Sequence, residues 1–264
     1  MSADHSAGME PDGQVVTTVD GAILIVTINR PQARNAINLQ VAEAIEHAVA
    51  QLDSRSDLLV GIITGAGGNF CAGMDLKAFV QGIRPSTPRG GFAGLVENPP
   101  LKPLISAVEG YALAGGFEIT LASDFVVASS SAVFGLPEVK RGLVAAAGGL
   151  LRLPRLIPHR VALEFAMTGE PMGAQRAFEL GLVNRLTEPG EALAGALDFA
   201  RQLSANGPLA LQATKRIVTE AREWTLTEQF DRQREITEPV FASADAREGA
   251  IAFADKRAPR WSGT

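Results

Sequence analysis

The chain is organised around the segment Glu109-Gly-Tyr-Ala-Leu-Ala-Gly-Gly-Phe-Glu118. The apolar run before it, Leu104 to Val108, favours a buried β-strand, and the glycines then ease a tight turn into a helix that carries Glu118. Because Gly115 and Gly116 have no Cβ, a ligand can approach their backbone N–H groups closely where the helix begins. A strand, a tight turn and a helix N-terminus are therefore predicted within a few residues of one another.

A second carboxyl lies twenty residues further on, in the sequence Phe134-Gly-Leu-Pro-Glu138. Between Lys102 and Lys140 the chain has only four charged residues, all acidic, among apolar and small ones. Because an unpaired carboxylate is costly to bury, such a group is usually hydrogen-bonded, paired or kept protonated by a raised pKa. Glu118 and Glu138 are therefore candidate acid and base groups.

The composition is typical of a globular protein with a substantial core, in one large domain or one and a half. The chain has 264 residues, of which 46% are hydrophobic and 20% charged. Its formal net charge of -5, without a block of Lys or Arg, argues against partners such as nucleic acid or an anionic membrane. The single cysteine, Cys71, cannot form an internal disulfide, which fits a reducing compartment.

The N-terminal residues Met1 to Gly13 lack the basic and apolar regions of a signal peptide, so we expect a flexible tail there. No uninterrupted apolar run approaches the roughly 18 to 20 residues that span a membrane. A cytoplasmic enzyme or binding protein is therefore the default expectation.

Strands and helices alternate in the first part of the chain. Val15 to Val19 and Ala22 to Ile28 are β-rich runs joined by Asp20-Gly21, which predicts a two-residue hairpin turn. Apolar residues at helical spacing then predict a helix from Leu39 to Leu52, followed by a strand at Leu58 to Ile63. Because strand, helix and strand in this order imply a right-handed crossover, we expect a parallel sheet.

The second part of the chain is increasingly helical. A Gly-, Pro- and Ser-rich loop at 84–100 is expected to border a site, and the uncharged run 142–151 suits a buried turn and helix start. Gly207-Pro208 marks a boundary, which divides the chain into a tail (1–13), a core (14–206) and a helical region (207–264). The predicted elements are strands at 125–128, 133–137 and 182–185, and helices at 161–167, 174–180, 191–203, 209–223, 226–238 and 244–256.

The segment Phe70-Cys-Ala-Gly-Met-Asp-Leu76 predicts a turn that leads into a helix capped by Asp75. Backbone N–H groups near such a turn can converge on a developing anion, as an oxyanion hole requires, although an ordinary helix cap is the simpler alternative. The glycine-rich run before it, Thr64 to Gly68, lacks the Lys-Ser/Thr pair of a nucleotide triphosphate site. We therefore assign no phosphate loop there.

Six motifs, in the same order along the chain, closely resemble the crotonase family, also called the enoyl-CoA hydratase/isomerase superfamily. The resemblance extends from about Val15 to Gly263. The motifs are Asn29-Arg30-Pro31 through Asn35-Ala36, Phe70 to Leu76, Gly110 to Glu118, Phe134 to Glu138, Ala174 through Gly181-Leu-Val-Asn184, and Glu248-Gly249 with Phe253-Ala-Asp-Lys-Arg257. The resemblance implies an α/β fold, a crotonase-type spiral of ββα turns with a C-terminal helical region used for trimer contacts, and a coenzyme A thioester ligand.

The resemblance also implies roles for individual residues. The backbone N–H groups of Met74 and Gly115 would form an oxyanion hole for the thioester oxygen. Glu118 would position and activate water and Glu138 would be the main proton donor and acceptor, in the reversible syn hydration of a 2-enoyl-CoA to a 3-hydroxyacyl-CoA. The coenzyme A-binding residues implied are Ala33, Arg34, Ala72, Asp75, Leu76, Phe253 and Lys256. No metal and no separate cofactor are expected, because coenzyme A is part of the substrate, and the assembly would be a homotrimer or a dimer of trimers.

Three departures from the family pattern leave alternatives open. Ala145-Ala-Ala-Gly-Gly149 stands where many hydratases have Pro-Gly-Ala-Gly-Gly, Ala114 stands where glycine is common, and Met74 often has a smaller counterpart. The alternatives are a dehydratase of a functionalised acyl-CoA such as carnitinyl-CoA, an enoyl-CoA isomerase, or a non-catalytic acyl-CoA-binding trimer. A serine hydrolase is disfavoured because none of His5, His47 and His159 lies in a motif that supplies a base.

Overall fold

The computed structural model describes residues 13–264, so the predicted tail, apart from Gly13, lies outside the described residues. Within that range, no helix is long and apolar enough to cross a lipid bilayer. The strands are β1 (Val15–Asp20), β2 (Ile23–Ile28), β3 (Val60–Gly65), β4 (Ser86–Thr87), β5 (Gly91–Phe92), β6 (Leu104–Val108), β7 (Tyr111–Leu113), β8 (Phe125–Ser129), β9 (Val133–Gly135), β10 (Met172–Gly173) and β11 (Arg185–Thr187). The α-helices are α1 (Leu39–Ser54), α2 (Leu76–Val80), α3 (Gly115–Ala122), α4 (Gly149–Leu156), α5 (His159–Thr168), α6 (Ala174–Glu179), α7 (Ala192–Ser204), α8 (Pro208–Glu220), α9 (Gln229–Phe241) and α10 (Ala244–Ala254).

The main sheet has six strands in the order β1-β2-β3-β6-β8-β11. β1 and β2 form the predicted antiparallel hairpin, but Asp20 pairs with Ile23, so the turn residues are Gly21 and Ala22 rather than Asp20 and Gly21. Every other neighbouring pair in this sheet is parallel, as the strand–helix–strand order predicted. Both faces of the sheet are buried, since Ile62 packs in a cluster with α7 whereas its neighbour Ile63 packs in the large core with α1 and α3.

A smaller sheet, in the order β10-β9-β7, supplies the second strand of the two ββα units that begin with β6 and β8. β6 is followed by β7 and α3, and β8 is followed by β9 and then, after a 3-10 turn, by α4. β7 and β9 pair in parallel, with Leu113 opposite Gly135. The predicted α/β spiral of ββα turns is therefore confirmed, and it places the ends of β7 and β9 side by side.

Some predicted elements are displaced in the structure. The strand expected at 182–185 lies at Arg185–Thr187 instead, because the Asn184 side chain and backbone bond to Val126 and the ladder with β8 begins only at Arg185. The loop predicted at 84–100 contains the two short paired strands β4 and β5. The run 142–151 is only partly buried, since Val144 and Leu151 are exposed.

An ion pair ties the helical region to the core. Lys215 on α8 lies 2.6 Å from the Asp124 carboxylate and also donates to the backbone carbonyl of Pro100. The same Asp124 oxygen accepts a hydrogen bond from the backbone N–H of Leu104, at the start of the central strand β6. Burial raises the pKa of Asp124, while the Lys215 charge acts in the opposite direction. Both side chains are largely buried, so each charge depends on the opposite charge of its partner for compensation.

Replacing Lys215 with methionine should lower the free energy of unfolding by about 2 to 3 kcal/mol, because it leaves a largely buried carboxylate without its charged donor. Urea denaturation followed by circular dichroism measures the change. Arg216→Met is the matched control, since Arg216 is exposed and its pair with Glu220 is worth under about 1 kcal/mol. Equal losses in the two variants would contradict the anchoring role of Lys215.

Candidate active site

Glu118 is buried on α3 and is held by the backbone. Its Oε1 atom accepts hydrogen bonds from the N–H groups of Ala147 and Gly149, each at 2.8 Å. Only glycine fits at position 149, because a Cβ there would lie 2.9 Å from the Glu118 Cγ atom. Burial raises the pKa of Glu118, and the two N–H donors together with the Arg152 charge oppose that rise. These groups favour the ionised form in spite of its burial.

Glu138 has a different environment on the 3-10 turn Pro137–Arg141. Its Oε2 atom is buried and has no hydrogen-bond partner among residues 13–264. Burial raises the pKa of Glu138 to about 7, and the negative charge of Glu118 acts in the same direction. A buried oxygen without a protein partner is able to bind a water molecule or a ligand.

The two carboxyls form an electrostatically coupled pair. Glu118 is stabilised by two N–H donors, whereas Glu138 has an oxygen that no described residue bonds and a pKa raised to about 7. When two such acids interact, one proton is held by the pair, and the less stabilised carboxylate takes it. With a pKa raised to about 7, Glu138 is the member of the pair that holds the shared proton up to neutral pH, while the N–H donors of Glu118 favour its ionised form. Such a difference suits a base and an acid that act on one substrate.

The backbone N–H groups of Met74 and Gly115 lie at the junction of two loops. Gly73 is so close to the start of α3 that a Cβ on it would lie 3.1 Å from the Gly115 nitrogen. Cys71 bridges to Ala112 in parallel, which aligns the Cys71–Met74 loop with β7. In the described part of the chain, neither the Met74 nor the Gly115 N–H donates to a protein acceptor. Both N–H groups are therefore available to a ligand. Their role as an oxyanion hole stays a prediction, with which their lack of protein acceptors is compatible.

Cys71 is a packing residue, as its sequence context suggested. The side chain is fully buried, and burial raises the pKa of the thiol to about 12. A thiol with that pKa is not a nucleophile at neutral pH.

Five of the residues expected to bind coenzyme A lie together, on two loops that contact each other. The Ala72 N–H donates to the Arg34 carbonyl oxygen at 3.0 Å, which joins the loops. The Asp75 carboxylate pairs with Arg30 at 3.0 Å and caps α2, as predicted. The five residues are Ala33, Arg34, Ala72, Asp75 and Leu76.

The structure does not bring the other two predicted coenzyme A-binding residues to this cluster. Phe253 lies near the end of α10 with 87% of its surface exposed, and Lys256 follows that helix, also exposed. Within residues 13–264 the Lys256 side chain makes no hydrogen bond or ion pair. Their assignment to coenzyme A therefore stays a prediction.

A cavity of about 350 Å³ adjoins Glu138 and continues between α4 and α5. Its lining is apolar except for Glu138 and His159, and it contains no Phe, Tyr or Trp among the described residues. The lining residues are Leu136, Glu138, Val139, Val144, Ala145, Leu150, Leu153, Pro154, His159, Ala162, Leu163, Ala166 and Met167. A cavity of this kind suits an aliphatic group.

Sequence reasoning missed this cavity and the position of Arg152. Val161 to Met167 was predicted as a helix, but helical spacing does not reveal which face lines a site. His159 was assigned no catalytic role, and the structure places it in the cavity wall. Arg152 is the first charged residue after the uncharged run 142–151. That isolated charge was the signal in the sequence that could have indicated a role for Arg152 near the site.

Comparison with known proteins agrees with this architecture. A family model described as "Enoyl-CoA hydratase/isomerase" matches residues 18–264. A carnitinyl-CoA dehydratase of Salmonella arizonae is 43% identical over 254 residues, which cover 93% of this chain and 97% of the relative. The structure of an enoyl-CoA hydratase from Mycobacterium tuberculosis is 56% identical and superposes with a TM-score of 0.93, covering 95% and 99% of the two chains. A carnitinyl-CoA hydratase from Mycobacterium avium is 41% identical, with a TM-score of 0.76 and coverage of 95% and 98%.

Ala114 is strained immediately before the Gly115 donor, with φ 53° and ψ -128°. Such a conformation favours glycine and costs about 1 to 3 kcal/mol for other residues. Ala114→Gly should therefore raise the free energy of unfolding by about 1 kcal/mol, after allowing for the extra flexibility of glycine in the unfolded chain. Urea denaturation tests this, with Ala122→Gly in the same helix as a control that should lose about 0.5 to 1 kcal/mol. The account of strain fails if both variants are destabilised alike.

Proposed function

The chain belongs to the enoyl-CoA hydratase/isomerase family, and on that premise we propose that it catalyses the reversible syn hydration of a 2-enoyl-CoA to a 3-hydroxyacyl-CoA. The observation that carries the proposal is the pair of coupled carboxyls, Glu118 held by two N–H groups and Glu138 with a buried oxygen that has no partner among residues 13–264. An isomerase of this family commonly retains a glutamate only at the position of Glu138. The presence of both acids in one site supports hydration.

The first step is polarisation of the thioester. Addition to C3 of an enoyl thioester builds negative charge on the carbonyl oxygen, and the Met74 and Gly115 N–H groups are the proposed donors to it. Each donor of this kind is worth roughly 3 to 4 kcal/mol of transition-state stabilisation, because it is preorganised in a site that excludes bulk water. The position of Gly115 at the first residue of α3 adds the positive end of the helix dipole.

The proton transfers follow from the unequal environments of the two acids. The Glu118 carboxylate accepts a proton from the water whose oxygen bonds to C3, and the Glu138 carboxylic acid gives its proton to C2. The C2–C3 double bond becomes a single bond. The proton taken up by Glu118 then passes through solvent to Glu138, which restores both acids, so one water is added in total. Dehydration runs the same steps in reverse, with Glu138 as the base toward C2.

Coenzyme A itself is proposed to lie against the loops that carry Arg34 and Asp75. Phe253 and Lys256 would complete that site from a neighbouring subunit in a homotrimer, since both are exposed in the single chain. The helical region also exposes Val218, Leu226, Phe230, Phe241 and Ile251, which a subunit contact would bury. We expect a trimer or a dimer of trimers on these grounds.

A dehydratase of carnitinyl-CoA is the second candidate, because relatives at 41–43% identity are named for that substrate. The cavity beside Glu138 argues against it. A trimethylammonium group is bound by aromatic faces or carboxylates. The described lining offers no Phe, Tyr or Trp, and its one carboxyl is the proposed catalytic acid. An uncharged aliphatic acyl group fits this lining better.

Glu118→Gln and Glu138→Gln should each lower kcat for enoyl-CoA hydration by about 10² to 10⁴, since each removes one proton-transfer group. Because hydration needs protonated Glu138, kcat/KM should fall as the pH rises through about 7. Loss of enoyl thioester absorbance measures both effects. Parent-like activity of either variant would exclude the two-carboxyl mechanism, and a pH profile without a limb near 7 would exclude the role of Glu138 as the acid.

The cavity predicts a preference among acyl groups. Each methylene that enters it should raise kcat/KM by roughly fourfold, so octenoyl-CoA should exceed crotonyl-CoA, and carnitinyl-CoA should be the poorest substrate in the dehydration assay. Ala166→Phe should lower kcat/KM for octenoyl-CoA more than for crotonyl-CoA, because it fills the cavity. Glu164 lies on the same helix outside the lining, so Glu164→Phe should leave the ratio of the two kcat/KM values unchanged. Carnitinyl-CoA as the best substrate would establish the second candidate instead.

A further inference from the structure

Arg152 lies against the turn that holds Glu118. It is half-buried on α4, and its Nη2 atom donates to the carbonyl oxygen of Val96, which is itself buried. Its Nη1 atom is so close to Gly148 that a Cβ on that glycine would lie 2.2 Å away. The guanidinium is therefore packed on the middle residue of the turn 147–149.

That turn is the one whose two outer residues, Ala147 and Gly149, donate to the Glu118 oxygen. The Arg152 backbone N–H also donates to the Gly148 carbonyl oxygen at 2.9 Å. Arg152 thus contacts the turn twice, through its backbone and through its side chain. We propose that Arg152 is the positioning residue of Glu118, and that its fixed positive charge keeps Glu118 ionised while its packing holds the turn 147–149 in place.

The contact between Arg152 and the Glu118 turn does not depend on the proposed function. Only its consequence does, namely that Glu118 acts as the base and Glu138 as the acid. Around Glu118, α4 supplies the Arg152 cation, and the 3-10 turn 137–141 supplies Glu138 together with the exposed Arg141. Arg152 is thus the half-buried cation next to the Glu118 turn, and it biases the shared proton toward Glu138.

A purely structural role for Arg152 is the competing explanation. If the residue only braced Val96 against α4, its loss would lower stability and reduce activity at every pH without changing how Glu118 titrates. An electrostatic role predicts a change in the protonation of Glu118 itself. The two explanations are therefore separated by a titration, and not by activity alone.

The experiment measures the Glu118 carboxyl in the ligand-free protein by infrared difference spectroscopy. Glu138→Gln serves as the background, so that one acid of the pair remains, and the Glu118 band is assigned by its loss in the double Gln variant. In this background Arg152→Met should raise the Glu118 titration midpoint by about one pH unit or more, since a nearby opposite charge shifts a carboxyl by 1 to 3 units. Arg152→Lys should restore most of the parental midpoint.

Arg155→Met is the matched control, because Arg155 lies on the same helix but is exposed and pairs with Glu223. It should leave the midpoint unchanged. Arg152→Gln, which keeps an N–H donor for the Val96 carbonyl, is the second variant if the methionine variant does not fold by circular dichroism. An unchanged midpoint in a folded Arg152 variant, or an equal shift in Arg155→Met, overturns the proposal.

The readout needs no substrate, so the two ideas fail separately. A shifted midpoint in a protein that turns over no enoyl-CoA would support the role of Arg152 and refute the proposed function. Normal hydration of enoyl-CoA with an unshifted Glu118 midpoint would support the proposed function and refute the role of Arg152. In the active enzyme, where Glu138 is present, Arg152→Gln should also move the acidic limb of kcat/KM to higher pH.

Discussion

The two hydrogen bonds from the Ala147 and Gly149 N–H groups to Glu118 are the constraint on which the site depends. Burial raises the pKa of this carboxyl on α3, and the two N–H donors oppose that rise. The close approach of Glu118 also requires glycine at position 149, and the two bonds join α3 to the start of α4. The position of Glu118 relative to the start of α4 is thus set by one acceptor atom and its two donors.

The asymmetry of the two acids follows from that constraint. Glu118 has donors and a nearby cation, whereas Glu138 has an oxygen with no partner in the described chain and a pKa raised to about 7. The two acids are thereby distinguished by their surroundings. In the proposed reaction, the apolar cavity beside Glu138 would hold the acyl chain and the Met74 and Gly115 N–H groups would hold the thioester oxygen.

Local sequence signals predicted much of this architecture. Asp20-Gly21 predicted the hairpin, Asp75 predicted a helix cap, and the glycines before Glu118 predicted a helix start beside a strand; the structure has all three. What could not be predicted depends on distant packing. Nothing near Glu138 in the chain shows that its oxygen lacks a partner, and nothing near Arg152 shows that its guanidinium meets Gly148. The 182–185 strand was misplaced because the ladder with β8 begins only after Asn184, whose contacts with the distant Val126 no local signal shows.

The proposed mechanism holds one ligand between the two N–H donors and the two carboxyls. A crystal structure of the protein with a bound 3-hydroxyacyl-CoA tests this arrangement. We expect the thioester oxygen within about 3.1 Å of both the Met74 and Gly115 nitrogens, and the 3-hydroxyl within hydrogen-bond reach of Glu118, with Glu138 facing C2. A thioester oxygen beyond the reach of both N–H groups, or a hydroxyl that contacts neither carboxyl, would contradict it.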